Sequence, residues 1–237
     1  MRQFKQFIIG GKSEMRKLAV LGALLSLAAF APTAMAADGK GLVDKNKCGS
    51  CHKMAGPAVK TIADIMKRQA PDLFYAGHKF NKEWLVGFLQ NPTTIRPAGT
   101  VYLNNLKTEA EQDKITGSPK CGSKLAAADA AAVADYLMTL KDGDMKAGVF
   151  KAGEVSTARA RNVMNKEEAC NACHVFPEKG GGVSCPTFEG IGKRLNPDWI
   201  YSFVQHPQHW DPKVWMAKRE FDDAKLQLIV NYLMTFK

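Results

Sequence analysis

The chain is 237 residues long, 46% hydrophobic and 24% charged, proportions that exclude wholesale disorder and a collagen-like repeat and leave room for one large domain or two small ones. Six cysteines are too few for a disulfide scaffold, so their spacing carries more information than their number. The formal charge of +10 favours encounters with acidic surfaces, while the lack of a basic run interleaved with aromatics argues against nucleic acid.

The first element is a targeting segment. Met15-Arg16-Lys17 is a positive n-region, Leu18 to Ala31 an apolar run, and Ala34-Met35-Ala36 a small-x-small cleavage site, so residues 1–36 read as a secretory signal peptide. An anchor would need a longer run to cross about 30 Å of hydrocarbon. No other segment is long and apolar enough, so no transmembrane span is expected after cleavage. Losing five basic residues and one acidic one takes the charge from +10 to +6, and the mature protein remains basic.

Two copies of one motif follow. Cys48-Gly49-Ser50-Cys51-His52 and Cys170-Asn171-Ala172-Cys173-His174 are both C-x-x-C-H, the attachment signature of c-type haem. Two thiols three positions apart on one turn can each add to a haem vinyl group. The next residue then offers its imidazole to the iron. A thioredoxin-type pair would want a βαβ context and a zinc site four ligands at matched spacings; neither fits. Two covalent haems are therefore expected, on Cys48, Cys51, Cys170 and Cys173, with His52 and His174 as proximal ligands.

The motifs belong to an internal repeat. At an offset of 115, Pro71 pairs with Pro186, Gly77 with Gly192, Asn81 with Asn196, Trp84 with Trp199, Pro92 with Pro207 and Pro97 with Pro212. Each half runs from the motif through a Gly/Pro-rich loop to a Trp-containing helix (residues 83–90; 198–205). An irregular loop and a final helix follow, the latter ending in Tyr-Leu-Met-Thr at Tyr136 to Thr139 and Tyr232 to Thr235. Apolar residues recur at helical spacing in Leu226, Ile229, Val230 and Leu233, and no alternating strand is evident. The expected divisions are a first domain at 37–141, a polar, Gly-bearing linker at 142–157 and a second domain at 158–237.

With the paired motifs, the Pro-x-Phe-x-Gly-x-Gly stretch at Pro186 to Gly192 and the Tyr-Leu helix ends, the mature chain resembles a dihaem cytochrome c made of two class I cytochrome c domains. The resemblance implies an all-α fold in which two tandem domains each wrap terminal helices around one covalent haem c. It also implies that the carbonyl of Pro71 or Pro186, with Pro57 as a second candidate in the first domain, orients the proximal imidazole. Met216, in the loop before the last helix, stands where the family places its distal thioether ligand, although the usual Pro successor is replaced by Ala217.

The first half departs from that pattern. Val101 pairs with Met216, Tyr102 follows it, and about 19 extra residues separate this loop from the terminal helix. Counted back from the helix, Ser118-Pro119-Lys120-Cys121 stands where a Met-Pro turn would be. The sixth ligand of the first haem is left open among Cys121, His78, Tyr102, a displaced Met such as Met66, or none. Cys121 and Cys185 are also a candidate disulfide. Packing or exposed roles suit His206, His209, Trp84 and Trp199.

The leading expectation is an exported, periplasmic carrier passing single electrons between redox proteins with acidic surfaces, such as a dehydrogenase, another cytochrome or a terminal oxidase. Alternatives are a haem redox enzyme of the thiosulfate dehydrogenase type, with Lys79, Arg96 or Lys120 holding a sulfur oxyanion, and a gas-binding haem module. No acid–base or nucleophile constellation marks it as an enzyme beyond the haem ligands.

Overall fold

The computed structural model describes residues 38–117 and 120–237; the signal-peptide reading and the Ser118-Pro119 turn fall outside them. The first half opens with α1, Gly39–Lys45, capped by the Asp38 carboxylate accepting from Lys40 N at 3.1 Å. A short helix α2, Ile62–Met66, starts at Thr61, whose hydroxyl accepts from Asp64 N at 3.1 Å. The Trp-bearing helix is α3, Lys82–Gln90, and the terminal helix is α4, Ala127–Thr139. In the second half, α5 covers Thr157–Asn162 and runs on into a π-helical turn at Val163–Glu167. The second Trp-bearing helix, α6, is Pro197–Gln205, and the second terminal helix, α7, is Asp223–Leu233.

The described chain is largely helical, with two small hairpins. One corrects the reading of an all-helical chain: β1, Leu106–Glu109, pairs antiparallel with β2, Gln112–Ile115, inside the extra residues of the first half. Its turn residues Ala110 and Glu111 both take positive φ, at 50° and 61°. Neither is the Gly or Asn that announces such a turn. The other hairpin, β3 (Val175–Phe176) with β4 (Gly180–Gly181), follows the second motif.

Each half has its own core. Val43, Leu73, Ala76, Leu85, Leu89, Val133 and Leu137 fill the first, between α1, α3 and α4. Helix α1 approaches α4 so closely that a Cβ on Gly39 would lie 2.0 Å from the Ala132 carbonyl oxygen. Met164, Ile191, Trp199, Leu226, Ile229 and Val230 build the second core, and Phe74 and Tyr75 of the first half are buried in it. Tyr75 stacks on Trp199 at 6.4 Å and meets Trp210 edge-on at 5.6 Å.

The halves are joined through equivalent positions. Phe80 and Leu195, 115 apart, form an isolated antiparallel bridge, with Asn81 N donating to Arg194 O at 3.0 Å and Asn196 N to Lys79 O at 2.9 Å. Stretch 142–157 is fastened along its length to the second half: Gly148 N and Phe150 N donate to the Asp198 carboxylate, Lys151 N to Gln227 and Gly153 N to Asn231. The chain has no break there, and Ala37–Lys237 form one compact unit.

Candidate haem-binding site

Both C-x-x-C-H stretches fold into the same turn. Lys47 and Ala169, the residues before the first cysteines, both sit in the left-handed region at φ 52°, ψ 35°. Short 3-10 turns at Cys48–Ser50 and Cys170–Ala172 follow, closed by His52 N to Cys48 O and His174 N to Cys170 O, each 3.0 Å. The two thiols of each motif are thereby held on one turn with the imidazole next in chain. Burial pushes the Cys48 thiol up and takes that of Cys170 to about 11; Cys51 and Cys173 lie exposed.

The histidines are oriented by prolines. His52 Nδ1 lies 2.6 Å from Pro71 O, and His174 Nδ1 lies 2.7 Å from Pro186 O. A proline carbonyl can only accept, so Nδ1 carries the proton and Nε2 keeps its lone pair for a metal. Burial lowers both imidazole pKa values, that of His174 to about 4 against the opposing effect of the proline hydrogen bond. A neutral ligand results. Pro57, the other candidate, does not make this contact; Pro71 does.

Different local structures deliver the same bond. In the first half, Pro71 lies 19 positions after His52, with helix α2 between them; in the second, Pro186 lies 12 positions after His174, with the β3–β4 hairpin between them. That hairpin presses on its motif: a Cβ on Gly182 would be 1.9 Å from Ala172 O, and one on Gly181 2.2 Å from His174 O. Phe188 stacks on the His174 ring at 4.4 Å.

A buried basic cluster lies nearby; sequence reasoning singled out Lys79 and Arg96 but missed Arg194 and Arg68, which no motif marks. Lys79 and Arg194 are equivalent positions, 9% and 4% exposed. Lys79 Nζ lies 4.9 Å from the Trp199 ring centre and 5.5 Å from that of Tyr75, with no ion-pair partner among the described residues. Burial, reinforced by Arg96, Arg194 and Arg68, lowers Lys79 to about 7; burial and Arg96 lower Arg194 to about 10. Asp72 and Asp211 both bind Arg68, at 3.5 Å and 2.6 Å. Trp199 Nε1 is buried with no hydrogen-bond partner among the described residues. Arg194 is satisfied by the carbonyls of Glu189 and Thr187, at 3.0 Å and 2.8 Å, but a buried ammonium without an ion-pair partner and an orphaned indole donor on the ring beneath it want an anion. Haem carries two carboxylates, so the residues present fit it.

The remaining candidates separate. Met216 packs against the second core, its carbonyl held by Gln208 Nε2 at 2.7 Å. Its counterpart Val101 is buried at 5%. Tyr102 meets the Trp215 ring edge-on at 6.4 Å, and His78 Nε2 is 2.9 Å from Lys141 O. Met66 O accepts from Asn104 Nδ2 at 2.7 Å. Cys121 and Cys185 are free thiols and are not joined to each other; Cys121 lies close enough to Cys48 to raise its pKa, and Cys185 N bonds to Cys173 O at 3.1 Å. His206 and His209 are exposed, as expected of them.

Residues 36–141 match the family model for cytochrome c. That segment is a cytochrome c domain. It contains the first motif, Pro71, Lys79 and the terminal helix α4, and its family implies covalently bound haem c and electron transfer. No curated protein matches the chain. Cytochrome c domains are usually exported, and among the described residues no helix is long and apolar enough to cross a membrane.

Proposed function

We propose that the protein is an exported dihaem c-type cytochrome that carries single electrons between periplasmic redox partners. Two class I domains, 37–141 and 158–237, are tied by 142–157. The observation that carries the reading is the repetition of one geometry on unrelated local scaffolds: a left-handed residue, a cysteine turn, and an imidazole whose Nδ1 meets a proline carbonyl. Cys48 with Cys51 and Cys170 with Cys173 would hold one haem each, with His52 and His174 as proximal ligands and Met216 as the distal ligand of the second. Haem supplies reversible one-electron chemistry at its iron, tuned by the axial ligands. The chain's part is to fix each imidazole in one tautomer, to set cations beside the carboxylates, and to keep water out with an aliphatic core in the first half and an aromatic-rich one in the second.

Unequal axial ligands would give the pair a direction. For one electron each tenfold bias corresponds to about 59 mV, and a His/Met site has the higher potential. Val101, buried where the second half has Met216, also supports a second reading in which the first haem has an open or exchangeable sixth position for a sulfur oxyanion or a gas.

Mass spectrometry of the exported protein, with low-temperature EPR of its oxidised form, tests the proposal. The expected result is a mass increase of two haems, reduced to one by Cys170→Ala/Cys173→Ala, and two low-spin signals. One haem only would overturn the dihaem reading. A high-spin signal or turnover of thiosulfate would favour the second.

A further inference from the structure

Three segments distant in sequence are pinned together on one face. Arg68, just beyond α2, bonds Asp211 at 2.6 Å. Asn104 Nδ2, in the 3-10 turn Tyr102–Asn105, bonds Met66 O at 2.7 Å, and Tyr102 touches Trp215. Each of the three pinned segments leaves one large apolar side chain in solvent: Ile62 is 56% exposed, Leu103 53% and Trp215 53%. Large apolar groups gathered at the surface mark interaction sites. Trp215 faces out while Met216, the next residue, packs onto the second core.

The rim is basic and unsatisfied. Lys60, Lys107, Lys213 and Lys218 flank these residues, lie exposed and have no ion-pair partner among the described residues. Three of the carboxylates nearby are already engaged: Asp64 with Lys67 and the Thr61 hydroxyl, Asp211 with Arg68, and Glu109 with Lys114; Glu111 and Glu220 lie exposed, leaving the rim net basic. An apolar centre ringed by free lysines is complementary to an acidic protein surface with an apolar middle.

We propose that the patch formed by Ile62, Leu103 and Trp215, with its rim of Lys60, Lys107, Lys213 and Lys218, is the docking surface for an acidic one-electron redox protein. The inference rests on the carrier reading above and says where on the molecule that partner sits. The surface spans both halves, and it places the partner one peptide bond from Met216.

The test uses the haem-loaded protein, reduced, with a small acidic blue-copper protein as probe in stopped-flow mixing. One electron leaves the holoprotein and reduces Cu(II) to Cu(I), with no proton needed. A small neutral quinone, reduced by one electron to its semiquinone, serves as an oxidant that needs no docking. We expect Leu103→Ser/Trp215→Ser and Lys60→Glu/Lys213→Glu each to slow oxidation by the copper protein about tenfold at low salt, with the lysine effect vanishing as salt rises. Rates with the quinone should stay at the native value. If the native protein reduces the copper probe and the variants match it, or if the variants slow equally with the quinone, the surface is wrong and the carrier reading stands. Reduction of the quinone but not of the copper protein rules out an acidic occupant. Failure with both oxidants overturns the carrier reading itself.

Discussion

Asn81 and Asn196 hold the same place in the repeat, each just before a Trp-bearing helix, and their side chains bond in different directions. Asn196 Oδ1 accepts from Asp198 N at 2.9 Å and caps α6. Asn81 leaves α3 without a side-chain cap and donates across the molecule, to Lys193 O at 2.9 Å and Leu195 O at 3.2 Å. Loss of the cap in Asn196→Ala should cost about 1 kcal/mol. Loss of two bonds at the junction in Asn81→Ala should cost about 1–3 kcal/mol and loosen the coupling of the halves. Urea unfolding followed separately by a probe in each half checks this: the native protein should show one transition, and Asn81→Ala two.

Glycine tolerance should split by position. Gly77 N donates to Leu140 O at 2.8 Å and Gly192 N to Phe236 O at 2.9 Å, bringing each loop onto the end of its terminal helix. A Cβ would lie 2.1 Å from Met138 O at Gly77 and 2.6 Å from Met234 O at Gly192. Backbone atoms cannot step aside cheaply, so Gly77→Ala should destabilise by about 1–3 kcal/mol. Gly192→Ala should cost less. Gly87, within α3, has nothing within 4 Å of its would-be Cβ, and Gly87→Ala should stabilise by about 0.5–1 kcal/mol. Denaturant midpoints of the three variants decide the order.

Stability should depend on pH through Lys79. Its folded-state pKa is about 7 against an ordinary 10.5, so between those values the folded chain has released a proton that the unfolded chain retains. Stability therefore rises with pH across that window, and the burden is present in full below about 7. Lys79→Met should flatten the rise in haem-free protein. Haem carboxylates beside the ammonium should flatten it too. Unfolding curves at a series of pH values, with and without haem, check both; a slope indifferent to Lys79→Met would remove this residue from the account.

On the proposed dihaem reading, Met216→Ala should open the sixth position of the second haem. The expected changes are a fall in one of two reduction potentials by at least one tenfold step, about 59 mV, and new binding of carbon monoxide to the reduced protein. Redox titration resolves the two haems. An unchanged pair of potentials would assign Met216 to packing against the second core.

Much of this arrangement is legible in the residues themselves. The cysteine motifs, the proline pair and the Trp-bearing helices follow from spacing and period, and the expected 83–90 and 198–205 differ by one residue from the observed Lys82–Gln90 and Pro197–Gln205. The hairpin over Leu106–Ile115 escapes notice because its strands are mostly polar and exposed and its turn lacks Gly or Asn. Phe74 and Tyr75 lie in the first half of the chain between Pro71 and Gly77, and only tertiary packing puts them in the second core. Lys79 stands out in the sequence only as a cation for an oxyanion, and its burial is not legible there because it depends on Trp199, 120 residues away.

The reciprocal bonds at Phe80 and Leu195, with Asn81 reaching Arg194 and Asn196 reaching Lys79, have the form of an isologous contact, in which each side offers the other the same surface. Two free copies meeting this way would come apart on dilution. Joined by 142–157, they meet at an effective concentration in the millimolar range, set by the tether and indifferent to how much protein the compartment holds. The two iron centres such a chain carries would then keep a fixed separation, so that exchange between them proceeds at the same rate in one isolated molecule as in a crowd.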